Sequence, residues 1–179
     1  MEVDSVARKE LWSWLKTIIL AVVIALLIRE YVLAFYVVDG SSMQPTLKNG
    51  QMVAVNKMGY RIGSLERGDV AVFEPPKEIV GSTEERVFIK RIIALPGDTI
   101  EIKDGKVFLN GEELAETYID AVMEQDMDPI QIAADTVFVM GDNRHPRGSW
   151  DSRTFGPIPI DTILGKAELV IFPNPHKVR

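Results

Sequence analysis

The chain has 179 residues, 46% of them hydrophobic and 26% charged, with a net charge of -6. That is room for one domain with a real core plus a short appendage, and too apolar for bulk disorder. The acidic balance leaves a nucleic-acid partner no electrostatic footprint. With no cysteine and only two histidines, disulfides, thiolate metal sites and cysteine nucleophiles are excluded, and neither a metal nor another cofactor is expected.

Leu11 to Ile28 reads LWSWLKTIILAVVIALLI, an apolar run interrupted only by Ser13, Lys16 and Thr17. As a helix it is about 27 Å long, close to a hydrocarbon core of roughly 30 Å. Trp12 and Trp14 stand where an interfacial aromatic belt sits, and Lys16 can snorkel. Arg8, Lys9 and Lys16 precede or open the run, whereas Arg29 alone marks its far edge. This bias predicts a single-pass span in the cell membrane with a cytoplasmic N-terminus. Residues 1–10 are then a short cytoplasmic segment, 11–30 the anchor in membrane lipid, and 31–179 an extracytoplasmic domain. Two other readings are weaker. A cleaved secretory signal needs a small-residue exit site, which Ile28-Arg29-Glu30-Tyr31 lacks, and a buried soluble helix rests only on the shortness of the stretch from Ile18.

Beyond the anchor, short alternating runs with turn punctuation replace the continuous apolar pattern. Strands are predicted at Gln51–Asn56, Asp69–Phe73, Arg86–Leu95, Thr136–Met140 and Ala167–Phe172. Asp104-Gly105 between Glu101–Lys103 and Lys106–Leu109 is a two-residue hairpin signal, and Asn110-Gly111 offers a second tight turn. Pro75-Pro76, Pro96-Gly97-Asp98 and Gly156-Pro157 separate strands. The expectation is a mainly β domain, a compact antiparallel sandwich or partial barrel, preceded by one transmembrane helix. Residues at about 115–135, acidic and bearing Met123 and Met127, show no clear period and read as a small excursion from the sheet.

Three segments carry chemistry. In the first, Gly40 permits close backbone approach, Ser41 and Ser42 precede Met43, and Pro45 stiffens the exit. Serine is a poor nucleophile without a base. The second, Val87 to Leu95, is an apolar strand with two adjacent cations. Alternation puts Lys90 on one face with Phe88 and Ile92, and Arg91 on the other. Desolvation there lowers a lysine pKa toward what a general base requires, whereas arginine stays charged. His145 is the rival base, with Asp142 or Asp151 as its acid, but its flanks describe an exposed basic loop. The third segment, Gly141-Asp142-Asn143-Arg144 through Ser149-Trp150-Asp151-Ser152-Arg153, reads as a hydrogen-bonded scaffold in which Asp151 can pair with Arg153 or Arg144.

The anchor, Gly40 to Leu47, Lys90-Arg91 through Leu95-Pro96-Gly97-Asp98, Gly141 to Arg144 and Ser149 to Arg153, in this order, closely resemble bacterial type I signal peptidases over nearly the whole chain. The resemblance implies a β-rich serine endopeptidase with a Ser-Lys dyad, cutting signal peptides from exported preproteins after small residues. Its nucleophile precedes the methionine, hence Ser42 rather than Ser41, and its base is Lys90. It further implies that Ser149 orients that lysine, that Asp151 and Arg153 pair in support, and that the backbone N–H of Ser42 serves the oxyanion beside Gly40. Two departures stand out. Four residues, His145 to Gly148, separate Arg144 from Ser149 where many relatives have about two. Gly40 occupies a position where some relatives carry a hydroxyl, as in the Gram-positive-like short form. The same resemblance leaves oligomeric state open. A self-cleaving repressor-type peptidase and a noncatalytic peptide-binding β module are the competing functions; the apolar run counts against the first, and Ser42 with Lys90 against the second.

Overall fold

The computed structural model describes residues 2–59, 65–76 and 87–179. It opens on a single helix, α1 (Glu2–Tyr31), whose stretch Glu10–Tyr31 is apolar and long enough to cross a membrane and has no buried residue. Only Val32 separates α1 from strand β1 (Leu33–Val37). No strand was expected there, because Leu33 to Val37 continues the apolar run and periodicity alone does not part the two.

The strands that follow are β2 (Met52–Asn56), β3 (Val70–Phe73), β4 (Phe88–Ala94), β5 (Thr99–Lys103), β6 (Lys106–Leu109), β7 (Glu112–Glu113), β8 (Met127–Gln131) and β9 (Thr136–Met140). After a short helix, α2 (Ser152–Phe155), come β10 (Ile158–Pro159), β11 (Ile163–Phe172) and β12 (His176–Lys177). The larger sheet has the order β1-β2-β11-β3-β4-β9-β10, with β12 added against β11, and curls into an antiparallel half-barrel. The smaller sheet has the order β7-β6-β5-β8. The fold is mainly β and antiparallel, as the turn signals predict.

Local chemistry explains most boundaries. Asp104 (φ 50°) and Gly105 (φ 77°) both occupy the left-handed region that a tight hairpin turn requires, and they join β5 to β6 in register. Strand β11 begins at Ile163, four residues before the expected Ala167, and crosses β2 and β3 with register shifts. Bulges of this kind break strict alternation and hide a strand's start. Arg86, the expected start of β4, lies outside the described residues. The stretch read as an excursion contains β8, which pairs with β5 at the sheet edge. Its half-buried Met127 and Ile130 pack on the core, while Asp128 and Pro129 stay exposed. An edge strand tolerates a proline, so Pro129 is compatible with this one.

Three apolar clusters form the interior. One joins the small sheet to the ends of β4 and β9 through Ile93, Ile100, Val107 and Phe138. Another lies under β1, β2 and β11 and takes in Val38, Met43 and Leu47 from the loop after β1. The third fills the space between β3, β4, β9 and β10 with Phe73, Ile92, Val139 and Ile158. Strand β4 reaches all three, with Ile93 and Ala94 in the first, Ile89 packed on the second and Ile92 in the third, which makes it the structural spine of the domain.

Candidate active site

The loop from Val38 to Gln51 is tied at its base by Val38 N–H to the Gln51 carbonyl and Gly50 N–H to the Val38 carbonyl, each at 2.8 Å. Met43 and Leu47 drop from it into the core, 1% and 0% exposed. Gly40 turns the chain at φ 99°, a conformation that strains any residue with a Cβ, and its N–H donates to Asn49 Oδ1 at 2.7 Å. Ser42 is thereby held half-exposed next to a buried anchor residue. Among the described residues, no group accepts a hydrogen bond from the Ser42 N–H.

Strand β4 brings the amine. Lys90 Nζ donates to Ser42 Oγ at 2.8 Å and to the Ile89 carbonyl at 3.0 Å, and lies 5.3 Å from the centre of the Phe88 ring. Lys90 is 5% exposed. Burial pulls its amine down to about 8; the carboxylates of Asp151 and Asp142 oppose that shift, and Arg153 adds to it. The dyad opens on a cleft of about 250 Å³ lined mostly by apolar groups, including Val53, Val72, Phe88, Ile89 and Trp150.

Arg91, one residue on, faces the opposite side and is 2% exposed. Its guanidinium grips Asp142 through Nε at 2.8 Å and Nη2 at 2.6 Å, donates through Nη1 to the Gly68 carbonyl at 2.8 Å, and lies 4.0 Å above the Tyr118 ring. Neither cation is ordinary surface charge.

The segment after β9 closes over the nucleophile loop. Asn143 N–H donates to the Ser42 carbonyl at 3.0 Å and its side-chain amide to the Ser41 carbonyl at 3.1 Å. Arg144 is fully buried; Nε donates to the Gly141 carbonyl at 2.8 Å and Nη1 to Glu116 at 2.9 Å. Burial opposes charge on this guanidinium, and Glu116 more than restores it. A Cβ on Gly141 would overlap the Ser149 side chain and the Ser42 carbonyl, so only glycine fits this approach.

Asp151 caps α2 and takes a forked pair from Arg153, with Nε–Oδ1 at 2.8 Å and Nη2–Oδ2 at 2.7 Å, and also accepts from Gly141 N–H at 2.9 Å. Burial raises the Asp151 acid, but Arg153 and the Gly141 N–H outweigh it and hold it below the usual carboxylate range. Of the two pairings open to Asp151, the structure forms the one with Arg153, and Arg144 goes to Glu116. Ser149 Oγ is buried and meets no hydrogen-bond geometry, although Asp151 is near enough to feel it.

His145 does not join the cluster. Its ring is exposed, 3.6 Å from Asp120, and both candidate triad carboxylates are engaged by arginines. Two supporting residues escaped the sequence reading. Glu116 sits in an acidic stretch without period, and Asn49 in a polar turn; no local signal marks either.

A family model described as signal peptidase, peptidase S26, matches residues 11–172. The chain belongs to this family. The peptidase is 39% identical to signal peptidase I of Bacillus amyloliquefaciens over 94% of its own length and 90% of that protein. Against signal peptidase I S of Bacillus subtilis it is 38% identical, covering 97% and 96% of the two chains. A probable signal peptidase I-2 of Synechocystis is 37% identical over 92% of this chain and 76% of that one.

Proposed function

We propose that the chain is a membrane-anchored serine endopeptidase that removes signal peptides from exported preproteins, with Ser42 as nucleophile and Lys90 as general base. The single observation carrying this is the 2.8 Å contact between a half-exposed hydroxyl and a buried amine lowered to about 8. With Lys90 neutral, the same contact runs the other way, the hydroxyl donating to the amine lone pair. Lys90 then takes the proton as Ser42 Oγ bonds to the scissile carbonyl carbon. The resulting ammonium returns that proton to the leaving amine as the peptide C–N bond breaks. Water gives up a proton to the again-neutral Lys90 and attacks the acyl-serine, regenerating Ser42 and releasing the new carboxyl end.

The oxyanion falls to the Ser42 N–H, a reading supported by that group having no other acceptor among the described residues. Gly40 shapes the turn that leaves the N–H available. Ser149 is assigned to orient Lys90; its buried hydroxyl makes no hydrogen bond among the described residues, neither to Lys90 nor to another group, which leaves it available for that role. Asp151 and Arg153 support it as an ion pair that seats α2 and the Gly141 backbone. The narrow apolar cleft suits small residues at the first and third positions before the cut. Helix α1 would hold the site at the outer membrane face, with residues 1–10 cytoplasmic and 31–179 outside, where a preprotein's cleavage point emerges. Tethering both partners to one membrane raises their effective concentration without a new contact.

Mass spectrometry of a preprotein incubated with the purified enzyme tests this. A single cut after an A-x-A site, absent with Ser42→Ala and with Lys90→Ala, is expected. Unchanged cleavage by either variant removes the dyad.

A further inference from the structure

The junction between helix and domain is built more tightly than a tether needs. A single residue, Val32, separates α1 from β1, and both its backbone groups are used: its N–H donates to the Ile28 carbonyl at 2.8 Å, and its carbonyl accepts from Lys57 N–H at 2.9 Å. β1 is then paired with β2 along its whole length, from Leu33 opposite Asn56 to Val37 opposite Met52.

Lys57, the first residue after β2, bends back to the helix end. Its Nζ donates to the Glu30 carbonyl at 3.0 Å and the Arg29 carbonyl at 3.4 Å. Those carbonyls belong to the last turn of α1, where no intrahelical partner remains and the helix dipole is negative. The turn presenting Lys57 is itself held, since Asn56 Oδ1 accepts from Met58 N–H at 3.0 Å and Asn56 Nδ2 donates to Glu168 at 3.0 Å. The same ammonium thus joins the last turn of the helix to the end of β2, the strand that leaves the nucleophile loop.

From the geometry of this junction we infer that Lys57 is a positioning residue, locking the direction of the anchor helix against the catalytic domain so that Ser42 stands at a set height above the membrane. The inference rests on the peptidase reading above and on α1 as the anchor. β1 advances about 3.3 Å per residue, so five rigid residues carry the helix end to the mouth of the cleft with little slack. A membrane-inserted preprotein offers its scissile bond at a height fixed by its own apolar segment. A short peptide free in solution offers it at any height. Loosening the junction therefore affects the first substrate and spares the second.

The test uses the full chain reconstituted in liposomes, with a preprotein carrying one A-x-A site and a soluble peptide spanning the same cut. For Lys57→Met, which keeps the apolar stem and removes the donors, kcat/KM on the peptide should stay within about twofold. On the preprotein it should fall about tenfold, with the loss in kcat as productive orientations become rarer. Lys57→Arg, which restores donors, should recover most of it. Because the chain lacks cysteine, Leu20→Cys and Lys103→Cys can carry a pair of spin labels. One narrow distance distribution is expected with Lys57 and a broad one with Met. A broad distribution in the otherwise unaltered chain, or equal effects on both substrates, overturns the inference while leaving the peptidase reading intact. If the unaltered enzyme cuts neither substrate, the peptidase reading falls, and this inference with it.

Discussion

On one side of β4, Lys90 faces an apolar cleft and meets only a hydroxyl and a carbonyl; on the other, Arg91 is wrapped by a carboxylate, a carbonyl and an aromatic ring. Both cations are nearly fully buried, one residue apart on the same strand. The lysine is left without a carboxylate in contact, so desolvation outweighs the more distant charges of Asp151 and Asp142 and its proton becomes removable. The arginine is gripped by Asp142 and the Gly68 carbonyl and serves to hold loops together. Burial alone therefore does not predict reactivity. What differs is whether the charged form finds a counter-charge within hydrogen-bond reach, and whether the side chain is one that can lose its proton at all.

The largest test of this contrast is removal of the reacting pair. Ser42→Ala and Lys90→Ala should each lower kcat on a preprotein by on the order of 10,000-fold while the protein stays folded, read by single-turnover kinetics beside a melting curve. Asp142→Ala probes the other side. It leaves Arg91 buried and unpaired, and should cost about 3–5 kcal/mol of stability, seen in thermal or denaturant unfolding. Because Asn143 follows directly and clamps the Ser41 and Ser42 carbonyls, activity should fall as well. A stable, fully active Asp142→Ala protein would mean that the arginine side does not support the dyad.

The pH dependence sharpens the contrast. With Lys90 at about 8, kcat/KM should rise roughly tenfold per pH unit below that value and level off above it. Stability carries the same signature. A folded lysine lowered from its unfolded value of 10.5 to about 8 is disfavoured when charged, so its cost is present in full below 8. Between about 8 and 10.5 the unfolded chain holds more protons, and stability gains with pH. Lys90→Met should be the more stable protein at pH 7, with that advantage shrinking through this window, as unfolding measured at several pH values would show. His145→Ala should be the smallest perturbation, with stability within about 0.5 kcal/mol and an unchanged pH profile. A profile that shifts with His145 would reopen the triad.

Much of this was legible in the chain itself. Strand β9 and the Asp104-Gly105 hairpin follow from local turn chemistry and alternation. The split of Lys90 and Arg91 to opposite faces follows from the two-residue period of any strand. The exposed setting of His145 follows from its polar, proline-containing flanks. Each of these depends on residues within a few positions of one another.

What only the tertiary structure decided involves residues far apart in the chain. Lys90 reaching Ser42, Arg91 choosing Asp142, Arg144 choosing Glu116 and Lys57 closing on the end of α1 are pairings among several equally eligible partners. A sequence states which side chains carry charge and which face they leave from, because those follow from covalent structure and backbone period. It does not state which oppositely placed groups will be brought within 3 Å, because that depends on how two curled sheets and a helix end pack against one another.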